Sequence, residues 1–160
     1  MKYRLLSKEQ FEELHQEFSI FLASQKIDKK LWDTMKDTQP KKVVSQLEKF
    51  SDIVWDKVLI KTEYLEHYSK DSINLFKCRV NNMSRIVVRV ENMDVNFQDK
   101  KGIDWFINNS DNPSLKYFKG EKDYTDSRNE ELFKLIEEGA ILADGKLFNA
   151  VKQMIKPVEG

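Results

Sequence analysis

Ser72-Ile73-Asn74-Leu75-Phe76-Lys77-Cys78-Arg79-Val80-Asn81-Asn82-Met83-Ser84-Arg85-Ile86-Val87-Val88-Arg89-Val90-Glu91 is where the texture of the chain changes. Ile73 to Val80 and Arg85 to Glu91 are rich in β-branched and aromatic residues, and Asn81-Asn82-Met83-Ser84 between them is turn material. Phe76, Cys78 and Val80 alternate in the first run; Ile86, Val88 and Val90 alternate in the second. A period of two predicts a β-hairpin over 72–91 with both triplets facing a core. A hairpin alone is marginal in water, so it must pack on other elements or recruit a further strand. Residues 93–97 are the candidate for that strand.

Upstream, residues 7–68 carry a helical period. Leu6-Ser7-Lys8-Glu9-Gln10-Phe11 places Ser7 as N-cap and Gln10 three positions on, a capping box, with Leu6 and Phe11 as the ends of a hydrophobic staple. Behind it, Phe11, Leu14, Phe18, Phe21 and Leu22 form one apolar stripe, which predicts a helix from about Lys8 to Ser24. Asp28 can cap a second helix holding Leu31, Trp32 and Met35. Pro40 suits the first turn of a third, whose apolar repeat runs from Val43 through Leu65 and extends it to Tyr68.

Downstream, residues 98–156 read as mixed and mainly helical. Ile103, Phe106 and Ile107 suggest a short helix, and Asn108 to Pro113 a loop. Leu115, Tyr117 and Phe118 are apolar without a clear period. Ser127-x-x-Glu130 is a second capping box, Gly139 is placed to end its helix, and Asp144 can cap a last helix that Pro157 stops. The architecture expected is α+β in one domain: a helical N-terminal layer, a central β-hairpin or small antiparallel sheet, and a C-terminal helix pair.

Composition narrows function. The chain has 160 residues, 40% of them hydrophobic, enough for a globular core. Its 27 basic and 27 acidic residues cancel, so no global attraction to nucleic acid or anionic membrane exists. Cys78 is the single cysteine, which excludes an intrachain disulfide and fits a reducing, cytoplasmic compartment. No stretch has the length of a membrane span. Gly-x-Ser-x-Gly is absent and the five glycines are unclustered, so neither a serine nucleophile elbow nor a phosphate loop is present.

Two constellations remain. The two histidines, His15 and His67, each have a glutamate at helical spacing, Glu12 and Glu63. Glu-x-x-His is used in carboxylate-bridged metal sites, but those need two such pairs and further carboxylates. A polar pocket holding both histidines is the expectation that remains, with local hydrogen bonding at a helix edge as the plainer alternative. Lys77, Arg79, Arg85 and Arg89 form the second set. The predicted alternation turns them all to solvent as one basic face, able to grip phosphate or an acidic partner. Charged protection of an exposed strand is the plainer alternative.

The run Lys2 to His15, Phe50-Ser51-Asp52-Ile53-Val54-Trp55, Tyr64-Leu65-Glu66-His67 and Asp144-Gly145-Lys146-Leu147 resemble a family of short bacterial proteins of flavobacterial type, classed as a domain of unknown function. The resemblance covers most of the chain and implies a free-standing bacterial cytoplasmic protein; it carries no activity, substrate or catalytic residue. The leading expectation is therefore a non-enzymatic module that binds another protein, including a second copy of itself as a homodimer, with no cofactor and no metal. A small hydrolase or metal-dependent enzyme using His15 and His67 with glutamates is the alternative. A nucleic-acid accessory protein acting through the basic hairpin ranks third.

Overall fold

The computed structural model describes residues 1–155. Length predicts one domain; the internal contacts group into two compact units, Met1–Ile60 and Lys61–Gly160. Among the described residues the chain is α+β, with seven helices and one five-stranded antiparallel sheet.

The first unit is helical. The capping box forms as the sequence predicts: Gln10 N–H donates to Ser7 Oγ at 3.2 Å and Ser7 N–H donates to Gln10 Oε1 at 2.8 Å. The first helix is interrupted at Leu14, giving α1 (Lys8–Glu13) and α2 (His15–Ser24). Asp28 caps α3 (Lys29–Thr38) by accepting from Leu31 N–H at 2.7 Å, and Pro40 opens α4 (Pro40–Lys61). Leu22, Ile27 and Met35 form the buried centre, and Phe18 packs edge-on against Phe50 and Trp32 at 5.0 and 5.4 Å between centroids. A strap of the N-terminus is tied to α4. Lys2 and Tyr3 N–H both donate to the Asp52 carboxylate, and Leu6 N–H donates to Ser51 Oγ.

In the second unit the helical period misleads. α4 stops at Lys61, and Tyr64–Tyr68 is strand β1 instead of helix. Val58 and Leu65 lie seven apart, a spacing that suits a helix face, but the backbone of 64–68 is claimed by a ladder on each side. β1 pairs with β2 (Ser72–Cys78) and, on its other edge, with β5 (Ile141–Ala143). The hairpin forms, with β3 (Asn82–Val90) pairing β2 from Ser72↔Arg89 to Cys78↔Met83. Its turn lies two residues earlier than expected: Arg79 N–H donates to Asn82 O, and Asn82, Met83 and Ser84 are already strand.

The further strand is not 93–97. Asn92 and Asn96 turn the backbone there through their own side chains, Asn92 Oδ1 accepting from Asp94 N–H and Asn96 Oδ1 from Gln98 N–H. Val95 and Phe97 are buried without joining a ladder. Helix α5 (Lys100–Asn108) follows, then β4 (Leu115–Asp123), which pairs with β3 over nine residues and completes the order β4-β3-β2-β1-β5. α6 (Arg128–Glu137) carries its predicted cap, Ser127 Oγ accepting from Glu130 N–H at 3.3 Å. Gly139, at φ +112°, ends it. Asp144 Oδ1 accepts from Lys146 N–H at the start of α7 (Lys146–Met154). Pro157, expected to stop that helix, lies outside the described residues.

The core settles which side chains face inward. Ile73, Leu75, Ile86, Val88 and Val90 pack with Phe97, with Phe106 of α5 and with Phe148 and Val151 of α7. The triplet in β3 is thus as predicted. In β2 the inward pair is Ile73 and Leu75. Phe76 and Cys78 are buried on the opposite face and Val80 is 80% exposed. The β2–β3 register imposes this, because Leu75 stands opposite Ile86 and Phe76 opposite Arg85.

Arg128 locks the start of the sheet. Its Nε donates to Arg79 O at 3.0 Å, and its Nη2 donates to Cys78 O at 3.3 Å and to Thr62 O. One guanidinium thereby satisfies carbonyls just before β1 and just after β2. Hydrogen bonds to a charged donor are worth about 1.5–3 kcal/mol net, and their removal strands buried acceptors. Arg128→Ala should therefore destabilise the chain by about 3 kcal/mol in urea unfolding, with Arg128→Lys recovering only part of it.

Candidate functional site

The pleat sorts the sheet into two sets of side chains. One set meets α5 and α7 in the core. The other comprises His67 of β1, Asn74 and Phe76 of β2, Arg85 and Val87 of β3, and Phe118 and Gly120 of β4. With α6 and the link before it, these residues bound a groove of about 890 Å³. α6 supplies Glu131, Lys134 and Leu135, its C-cap is Glu138, and the link supplies Thr125 and Asp126.

Arg85 dominates the floor. Its Nε and Nη2 both donate to Asn74 Oδ1, at 3.0 and 2.5 Å, and its guanidinium lies 5.7 Å from the centroid of the Phe76 ring. Asn74 is only 9% exposed, so the group that orients the arginine is itself fixed. Arg85 remains exposed and makes no ion pair among the described residues. Gly120 is its direct partner on β4, and a Cβ built there meets nothing within 4 Å. The floor beside the arginine is therefore bare backbone. Further along, Phe118 is 50% exposed, with the Arg89 guanidinium 5.7 Å from its ring centroid.

The wall is paired more fully. Lys134 Nζ lies 3.1 Å from Asp126 Oδ2. Glu131, 8% exposed, accepts at Oε1 from Lys122 Nζ at 3.0 Å and from Thr125 Oγ1 at 3.3 Å; its buried Oε2 has no hydrogen-bond partner among the described residues. At one end the turn after α6 backs onto His67, where a Cβ on Gly139 would stand 3.2 Å from Nε2.

The candidates from sequence are redistributed. His67 lines the groove, but on a strand, so the helical spacing to Glu63 has no meaning there; Glu63 lies in the link before β1. His15 and Glu12 belong to the helical unit, and His15 Nδ1 is 3.0 Å from the Glu12 main-chain O, not its carboxylate. Among the described residues no three His, Cys, Asp or Glu side chains gather as a metal site would require. The basic face splits in two. Arg85 and Arg89 share the groove side. Lys77 follows Leu75 on the core-side set, its Nζ 6.0 Å from the Tyr64 ring centroid, and Arg79 donates to Ser84 Oγ at 2.6 Å. No local sequence pattern marks Gly120 or Glu131 as groove residues. For Asn74 the one signal is a polar residue inside the apolar run Ile73–Phe76.

Cys78, expected on the core face, sits at the end of β2 under Arg128. Burial pushes its thiol up to about 11, with the Arg128 charge pulling weakly the other way. Burial and neighbouring charges likewise push the Tyr124 hydroxyl, which donates to Arg79 O, up to about 12. The folded chain keeps its thiol proton where an unfolded one starts to lose it. Stability should therefore fall as pH climbs past 9 towards about 11. At pH 8, Cys78 should react with a disulfide reagent far more slowly in the native chain than in urea.

The chain belongs to a family described as a family of unknown function, DUF6495, whose model matches residues 1–156, in accord with the resemblance drawn from the sequence. Comparison with curated proteins gives no match, and comparison with solved structures gives none. No helix among the described residues is long and apolar enough to cross a membrane.

Proposed function

We propose that this protein is a non-enzymatic binding module, working in the cytoplasm, whose groove receives an extended segment of another protein. The observation that carries the proposal is the floor. An arginine is pre-oriented by a buried amide and an aromatic ring, meets no carboxylate among the described residues, and lies beside a glycine that leaves room above the sheet. Binding sites are generally concave, with a few fixed polar groups among apolar ones, and a pre-oriented side chain loses little freedom on binding. Phe76, Phe118, Val87 and Leu135 supply the apolar part of this lining.

Segment binding on the face is favoured over strand addition at the edge. β4, the long edge strand, carries Lys116, Lys119, Glu121, Lys122 and Asp123, a density of charge that discourages another strand from pairing. A nucleic-acid partner has less support. The four hairpin cations do not gather, and the groove lining balances its four Lys and Arg residues with four Asp and Glu residues.

Gly120→Trp tests the groove. The new side chain enters open space on a strand position that favours aromatics, so the melting temperature should stay the same or rise slightly. Random-peptide display against the full chain should yield peptides that bind the wild type and lose binding to Gly120→Trp. Peptides bound equally by both proteins, or none at all, would remove the groove as the binding surface.

A further inference from the structure

We infer that Arg85 is the receptor for one carboxylate, an aspartate or glutamate side chain of the incoming segment. The inference rests on the groove reading above and names the chemistry of its occupant.

The geometry of the guanidinium points to a carboxylate. Asn74 Oδ1 takes the Nε–H and one Nη2–H, the side edge of the fork. The end edge is left with one N–H from Nη1 and one from Nη2, parallel and coplanar. A carboxylate accepts such a pair through both oxygens at once, whereas a carbonyl or hydroxyl uses only one. The two bonds to Asn74 fix the plane of the guanidinium, with the Phe76 ring centroid 5.7 Å away, so the edge is aimed before any ligand arrives. Because the lining as a whole is balanced in charge, the site suits a single anion flanked by apolar residues and disfavours a chain of phosphates.

The test uses the full chain and the peptides selected above. The selected set should be enriched in Asp or Glu at one position. Replacing that residue by Asn or Gln in the peptide, or making Arg85→Gln in the protein, should each weaken binding by about tenfold or more, with no further loss when the two are combined. The Arg85 Nε–H resonance should shift with the acidic peptide and stay still with its amide counterpart. Peptides that depend on Gly120 yet ignore Arg85→Gln would overturn this inference and leave the groove reading standing. Absence of any Gly120-dependent peptide would remove both. A short labelled oligothymidylate that binds at moderate salt, loses affinity in Arg85→Gln and is not displaced by the peptides would overturn it in favour of nucleic acid.

Discussion

The pairing of β2 with β3 is the constraint on which the second unit depends. Its register sets Leu75 against Ile86 and Ile73 against Val88, and these four side chains start the core that α5 and α7 complete. The same register sets Phe76 against Arg85 and Asn74 against Val87 on the other face. Side chains alternate strictly, so a slip of one residue would place Arg85 in the core and Ile86 in the groove. Core and candidate site are consequently two sides of one set of hydrogen bonds. Arg128 holds the end of that ladder from outside, by tying the main chain after β2 to the main chain before β1.

Charge on the open face is organised by what each cation already touches. Lys122 and Lys134 are occupied by Glu131 and Asp126. These contacts hold α6 and its link beside the sheet and shape the wall of the groove. Arg85 is different: its contacts, an amide oxygen and a ring, orient it without neutralising it. A cation held in place without meeting a carboxylate among the described residues suits an anion as its partner.

Much of the local structure was legible. The capping box at Ser7, the Asp28 cap, Pro40 in the first turn of α4, the Ser127 cap and the stop at Gly139 all formed where the sequence placed them. Each depends on one or two residues acting on their own backbone. The errors have one physical origin. β1, β4 and β5 are held by partners far away in the chain, and their own residues carry little strand signal. Tyr64–Tyr68 continues a helical spacing, Leu115–Asp123 is largely charged, and Ile141–Ala143 is only three residues long. Two asparagine turns, in contrast, diverted 93–97 from a ladder that its composition allows.

The site was legible in part. His67 and Arg85 are in the groove, but the spacing that drew attention to His67 was helical and the strand voided it. Lys77, Arg79, Arg85 and Arg89 were grouped by nearness in sequence and separated by the register. By itself the sequence determined the α+β class, the helix ends and the hairpin, because capping, turns and alternation act over a few residues. Tertiary structure alone decided which face of β2 is the core, which strands flank the hairpin, and that Asn74, Arg85, Gly120 and Glu131 meet in one groove. Those outcomes depend on hydrogen-bond ladders and burial between segments distant in the chain, and no local pattern carries that pairing.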